Sequence, residues 1–565
     1  MFMPFVAIIA LFCVSAPTAK KKETVRQLAP GVELVQEVTP EGDKDGPLVV
    51  TTVRIDPKVK GVRVEAALGG DTVWANDATL GREIPSKTVA RRKAVAGINA
   101  SFFPFAGNPI GLHIENGELV TEPGLPRTAF VLLDDGTAQC ARFSYAGAVN
   151  GKPLAGLNRK PGKGDELLLF TPIFAENTLK TEGRVEVVLE GVPLPLKPGA
   201  EQTGTVASVG EGGLTPIKPG SVVLSGGGAL GTWLKEWARP GEKANLNLTI
   251  TPLDGSPALD PAKIRQAVTG SGWLLKNGKL ALDLKAEKIA ENFSTTRHPR
   301  TAVGVTGEGK ILFVTVDGRQ PKLSRGASLT ELAVIMLAMG AVEAVNLDGG
   351  GSSACAVRGA VASSPSEGVE RPVADSLLVF ADEPMVMPVL ATLAPTTPLG
   401  VGEVRQLALP DGVDAATAAW TVRGGVGFID QEGVFRAQRP GKGTVLLWRG
   451  TESLELPIVV TKSTIVPTKP EPKLDSAAFI PQGIFSTNGG TLMLTISNSE
   501  GDKLGNEIIL LQVTGGVATP NPVTTSPKGE ATVTIQWDSA TAPAARKIKL
   551  SSPNKRFESV TIKPT

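Results

Sequence analysis

Between Lys310 and Leu347 the chain has few conformational choices. Lys310–Asp317 (KILFVTVD) is a short uninterrupted apolar run, as expected of a strand buried on both faces. Ser328-Leu329-Thr330-Glu331 then gives the capping pattern S-x-x-E, in which a hydroxyl and a carboxylate satisfy the free amides of a helix start. Leu332, Ile335, Met336 and Met339 recur at helical spacing, and Gly340 is placed to end the helix. Val342–Leu347 is a second apolar strand. A strand–helix–strand segment of this length predicts two parallel strands joined by a right-handed crossover. Such a unit sets Asp317 and Asp348, which follow the two strands, at one edge of a sheet, where ligand crevices of open α/β sheets form. Asn99 and Ser101, at the end of another continuous apolar run, Lys93–Asn99, reach the same edge if that strand is also parallel. Further strands are expected at Leu48–Ile55 and Val62–Ala67.

The residues around the two aspartates suit an anionic ligand. Asp348-Gly349-Gly350-Gly351-Ser352-Ser353 lets backbone amides approach a ligand and donate to it. Arg300 and Arg319 bring forked donors for phosphate or carboxylate. An Asp-Gly pair is also common turn chemistry, so each aspartate alone reads equally well as a turn. Two at one expected edge favour a site. Glu331 reads as the capping residue rather than a catalyst. His298, before Pro299, reads either as a structural hydrogen-bonding group or as a general acid or base. His113 reads as a half-buried strand residue. Gly226–Gly231 formally matches G-x-G-x-x-G, but Pro240 stops the following helix early and no opening βαβ unit surrounds it. No dinucleotide site is expected there.

Charge and composition narrow the class. Lys and Arg number 58 against 56 Asp and Glu, which argues against a protein that works by neutralising nucleic-acid phosphates. Two histidines and three cysteines exclude His-rich metal sites, a disulfide scaffold and a Cys-ligated zinc, and no cofactor or metal is expected. The apolar run Phe5–Val14 has the length of a signal-peptide core, although no Lys or Arg precedes Lys20. No later apolar stretch reaches the roughly 18 residues of a membrane span. A secreted, periplasmic or cell-surface protein is expected. With Cys13 removed in such a leader, Cys140 and Cys355 remain, either paired or as two buried thiols.

After about residue 386 helical periodicity disappears. Short alternating segments separated by Gly, Pro and Asp replace it, and 461–473 holds three prolines without a packing pattern, as a stiff linker does. The whole chain contains 64 Gly and 44 Pro, in keeping with a turn-rich, β-heavy protein. The expected architecture is α+β: a signal peptide at 1–19; a mixed-sheet catalytic domain at 20–385, with the βαβ unit carrying the site; and all-β sandwiches at 386–460 and 474–565. Trp420-Thr421-Val422, Gly427-Phe428-Ile429-Asp430 and Gly443-Thr444-Val445 resemble bacterial Ig-like modules of the group-2 type. Gly529–Thr534 and a terminal strand, Ser559–Ile562, resemble the group-1, invasin-like type. A spacer or adhesion role, with cell-surface contacts, is expected of both.

Four motifs in order resemble the phosphodiester glycosidase family: His298-Pro299-Arg300-Thr301-Ala302-Val303-Gly304, Val316-Asp317-Gly318-Arg319, Ser328–Ala333 and Asn346–Ser353. Upstream, Gly97-Ile98-Asn99-Ala100-Ser101-Phe102-Phe103 is similar to the family's G-x-N-G-G-F-F element, with Ala100 and Ser101 in place of two glycines. Arg371-Pro372-Val373-Ala374 is similar to its closing segment. The resemblance extends over about 45–385. It implies hydrolysis between a sugar anomeric carbon and a phosphodiester oxygen. On that chemistry Asp348 and Asp317 are expected as catalytic carboxylates, Arg300 and the amides of Gly349, Gly350 and Ser352 around the phosphate, and Asn99 and Asn346 toward sugar hydroxyls; Ser101, His298 and Arg319 are further candidate substrate-binding residues, and Arg319 reads equally as a solvated side chain. The partner is then a glycan or sugar phosphate. A glycan-binding protein without catalysis is the alternative that the Ala100-Ser101 change favours.

Overall fold

The computed structural model describes residues 22–43, 46–104, 107–162, 164–253, 256, 258–382, 397–462, 479–486, 489–496, 508–526, 530–551 and 560–562. The expected signal peptide and most of the expected linker lie outside them. The chain divides into two units, residues 1–463 and 464–565.

The first unit is mostly β, with mixed sheets. One sheet runs Lys22–Ala29, Val32–Thr39, Leu48–Ile55, Ile311–Val316, Arg300–Thr306, Ala341–Asn346, Trp273–Lys276 and Lys279–Leu280. A second includes Ala418–Arg423, Ala360–Val361, Cys355–Val357, Ala96–Asn99, Asp375–Phe380 and Arg63–Leu68, in that order. Val53, Phe313 and Val345 from the first meet Ile98, Leu377 and Val379 from the second in one buried core. Burial of such branched and aromatic side chains is the main stabilising contribution, about 1.5–3 kcal/mol each. A third sheet occupies much of 113–269 and has its own core around Phe143, Leu169, Val187 and Leu246.

The expected crossover is corrected in one respect. Ile311–Val316 and Ala341–Asn346 do run parallel, but Arg300–Thr306 lies between them and pairs antiparallel with both. The unit is therefore a three-strand arrangement rather than a simple βαβ. The intervening strand comes from earlier in the chain, a pairing that local periodicity does not encode. The helix itself is as expected. It spans Leu329–Ala338, with Ser328 Oγ accepting from Glu331 N at 3.1 Å and Glu331 Oε2 accepting from Ser328 N at 2.9 Å. Leu329, Leu332, Ala333 and Met336 are buried against Leu312, Val314 and Ala344. Gly340 ends it with φ of 85°, a backbone state that favours glycine. Glu331 also pairs with Arg297, and its carboxyl is held down to about 2, first by that arginine.

The first tail segment is not set apart from this unit. Its strands Ala418–Arg423, Gly441–Arg449 and Glu452–Thr461 extend the second sheet through the Val361–Val422 pairing. The second unit has two four-stranded antiparallel sheets sharing a core of Leu492, Leu494, Ile509, Val533, Ile535, Ile548 and Leu550. Among the described residues, no helix is long and apolar enough to cross a membrane. Cys140 and Cys355 are both buried and unbonded, which resolves the open pairing in favour of two thiols.

Candidate active site

Strand ends from the first two sheets meet at one place. Asp348 follows Ala341–Asn346, and its backbone N–H donates to Ala100 O at 2.9 Å. Asn99 ties the sheets together there. Its Nδ2 donates to Asp348 O at 2.7 Å, while its Oδ1 accepts from Thr301 Oγ1 at 2.8 Å and Ala354 N at 3.1 Å. Asn99 is fully buried and its amide is spent on these contacts. It positions the Asp348 loop and presents nothing to a sugar, contrary to the expected role. Asn346 is likewise buried, with Nδ2 donating to Ser271 O at 2.9 Å and Oδ1 unpartnered.

Asp348 is the carboxyl at this junction. Burial raises it to about 6, and nearby Asp375 adds to the rise. Ser352, Arg371 and the Gly349 amide pull the other way. The Gly349 N–H donates to Asp348 Oδ1 at 2.9 Å. The Ser352 hydroxyl stands by the same carboxyl without reaching hydrogen-bond geometry. Gly350–Ser352 forms a single 3-10 turn, with Gly350 N donating to Pro299 O at 2.8 Å and Ser352 N to Gly349 O at 3.2 Å. The Gly349, Gly350 and Ser352 amides are thus used inside the protein. The glycines instead let side chains close in. A side chain on Gly350 would begin 3.1 Å from Arg319 Nη2, and one on Gly351 would collide with Glu367 and Arg371.

Two guanidinium groups therefore flank the loop after Asp348. Arg319 sits in the left-handed region at φ 59°. Burial and Arg371 both lower its pKa, in that order, so the two cations feel one another. Among the described residues Arg319 has no carboxylate within salt-bridge distance, whereas Arg371 pairs with Glu367. Arg319 Nη2 donates to His298 Nδ1 at 3.3 Å, which leaves the imidazole proton on Nε2. Burial, then Arg319 and Arg300, push His298 down to about 4, so it is neutral at physiological pH.

Arg300 lies deeper. It is fully buried, with Nε donating to Ala327 O and Nη2 to Phe293 O and Thr296 O, and its guanidinium stacks 4.7 Å from the Phe293 ring. Burial first, and Arg319 second, lower it to about 10. Only Nη1 lacks a partner. Arg300 adds positive potential from behind the site but is held by carbonyls, not arranged as an open fork.

Asp317 does not join Asp348 as an accessible carboxylate. It is 1% exposed; Oδ2 accepts from Ser364 N at 2.9 Å and Oδ1 has no partner. Burial lifts its pKa well above the usual carboxylate range, which favours its neutral form in the folded state. The loops carrying Ser324 and Ser364 cover the strand end, an arrangement that strand order alone does not reveal. Asp317→Asn, which preserves shape and neutrality, is expected to keep turnover within about threefold. Asp317→Ala, which strips the Ser364 amide of its acceptor, should lose about 1–3 kcal/mol in urea unfolding.

The acid near Asp348 is Asp375, which the sequence reading missed. Ser101 N and Oγ each donate to it at 2.7 Å, and His113 Nδ1 at 2.9 Å. His113 is completely buried rather than half-buried, and its Nε2 lies 4.0 Å from Glu115 Oε2. Burial opposes its charge, but Asp375 and Glu115 win and raise it to about 9. Ser101 thus serves Asp375 rather than a sugar. The only sequence signal was position, one residue beyond the Arg371–Ala374 motif. Because the folded pKa of His113 exceeds the unfolded one, its stabilisation is complete below pH 6.5 and fades as pH climbs through 9. Chemical denaturation across that window should show a loss on the order of 3 kcal/mol at most, and His113→Gln should flatten it.

Residues 200–380 match the family model described as phosphodiester glycosidase. Residues 200–380 are thus similar to a phosphodiester glycosidase domain. The match includes Arg300, Arg319, Asp348, Arg371 and Asp375 but begins downstream of the Gly97–Phe103 element. The chain is 35% identical over 111 residues to N-acetylglucosamine-1-phosphodiester alpha-N-acetylglucosaminidase of Bos taurus, covering 18% of this chain and 21% of that protein. It is 36% identical over 107 residues to the uncharacterized SPbeta prophage-derived protein YomE of Bacillus subtilis, covering 19% and 16%. The chain therefore spans only about a fifth of the length of these curated relatives. A putative exported protein from Burkholderia pseudomallei gives a TM-score of 0.49 at 26% identity, over 59% of this chain and 74% of that one.

Proposed function

We propose that this glycosidase domain hydrolyses a glycosyl phosphodiester, cutting the bond between the anomeric carbon and the phosphate oxygen. The observation that supports the reading is the pairing of one carboxyl tuned to about 6, Asp348, with two guanidinium groups across a glycine loop, of which Arg319 has, among the described residues, no carboxylate within salt-bridge distance. Arg319 and Arg371 take the phosphate, and Arg300 strengthens the potential from behind. Asp348, ionised above pH 6, removes a proton from the attacking water or engages the anomeric carbon itself. The C–O electron pair leaves with the phosphate as a phosphomonoester, whose second pKa of about 6 makes it a fair leaving group without a strong acid. Electrostatic complementarity to that developing charge is then the main catalytic contribution.

Neutral His298, with its proton on Nε2, is suited to donate to a sugar or phosphate oxygen. The substrate class is an N-acetylglucosamine-1-phosphodiester or a related cell-surface glycan, met outside the cytoplasm if the Phe5–Val14 segment directs export. Release of phosphomonoester from such a diester by purified protein tests the reading. Saturable glycan binding without release would replace it with the non-catalytic alternative.

A further inference from the structure

The segment after residue 397 was expected to be a spacer, but side chains from it reach the loops that carry the site's cations. Gln438 is the central contact. Its Nε2 donates to Gln320 Oε1 at 2.8 Å and to Ser364 Oγ at 3.0 Å. Gln320 and Ser364 close the set: Gln320 Nε2 donates to Ser364 O at 2.8 Å and Ser364 Oγ to Gln320 Oε1 at 2.8 Å. Gln320 is the residue next to Arg319, and it closes the turn to Ser324 through two backbone bonds of 3.1 and 2.7 Å. Ser364 N is the donor to Asp317.

A second contact comes from Gly425. At φ 63°, a side chain there would begin 2.8 Å from Val369 Cγ1 and 2.9 Å from Gly368 O. The backbone therefore presses directly on the turn between Glu367 and Arg371. Both arginine-bearing arms are braced from outside the family-matched segment, by residues beyond 380.

We propose that residues 399–461 are a positioning element of the active site, in which Gln438 fixes the Arg319 arm for phosphate recognition. Arg319 holds an unusual backbone state and, among the described residues, has no carboxylate within salt-bridge distance, with Glu367 acting on it only from farther away. A hydrogen-bonded neighbour that leaves its charge free orients it without neutralising it. An acidic residue at 438 would do the opposite. The inference rests on the phosphate role proposed for Arg319.

The test uses the full chain and a sugar-1-phosphodiester. Gln438→Ala is expected to raise KM about five- to twentyfold, the effect of losing one half-buried hydrogen-bonded amide, with kcat within about twofold. Gln438→Glu, which loses the donor, should behave the same way. The deciding measurement is the cycle with Arg319→Ala: once Arg319 is gone, Gln438→Ala should change KM little. An equal KM effect in both backgrounds would overturn the proposal, as would an unchanged KM in the single variant. Should Gln438→Ala not fold, Gln320→Ala breaks the same set from the other side and is read identically. If wild-type protein shows no turnover, the functional reading fails by itself. The inference is then read from phenyl phosphate affinity by calorimetry in the same variants, where a loss that depends on Arg319 supports it and no loss refutes it.

Discussion

Asp348→Asn is expected to abolish phosphodiester hydrolysis, by about a thousandfold or more, while making the protein more stable. The first effect follows because the amide neither accepts a proton nor attacks the anomeric carbon. The second follows from burial. The folded-state pKa of Asp348, about 6, lies above the ordinary value of 3.8, so the fold disfavours its charged form. That cost is absent below about pH 4, grows through pH 6 and is complete above it. At pH 8 the asparagine variant should therefore gain up to about 3 kcal/mol in denaturant unfolding, and the gain should vanish near pH 4. Wild-type kcat/KM should fall on the acid side with an apparent pKa near 6. A variant with full turnover, or an acid limb near 4, would remove Asp348 from the chemistry.

Removing Arg319 and Arg371 together is the second large effect. Each charge-assisted hydrogen bond to a phosphate oxygen contributes about 1.5–3 kcal/mol, so the double alanine variant should lose a hundredfold or more in kcat/KM on a charged diester. Because both side chains are at least partly solvent-exposed and Arg371 is 40% exposed, the fold should tolerate the change. Activity on a neutral aryl glycoside is the control. If it falls as far as activity on the diester, the arginines support the loop rather than the phosphate. Arg300→Ala reads differently. It frees three carbonyls, of Ala327, Phe293 and Thr296, that now accept from the buried guanidinium, so its main expected effect is on stability.

The two effects separate a tuned acid from its electrostatic surroundings, and the sequence disclosed them unequally. Asp348, Gly349–Ser353, Arg319 and the helix Leu329–Ala338 were readable because each is specified by neighbours close in the chain. Capping, glycine spacing and short apolar runs act over a few residues. Asp317 was misjudged because its chemistry depends on Ser364, far along the chain, closing over the strand end. Asn99 looked like a ligand and proved to be a tie between sheets, with partners at Thr301, Asp348 and Ala354. Ser101 and His113 acquired meaning only through Asp375.

By itself the sequence determined the strand and helix content of 310–347, the carboxyl at 348 and the family resemblance, since local hydrogen bonding and apolar periodicity are written in adjacent residues. Tertiary structure alone decided which acids are buried, which amides are already bonded and which arginines lie beside the glycine loop. Those properties depend on desolvation and on partners brought together from distant segments, such as Arg319 with Arg371, Asp375 with His113, and Gln438 with Gln320.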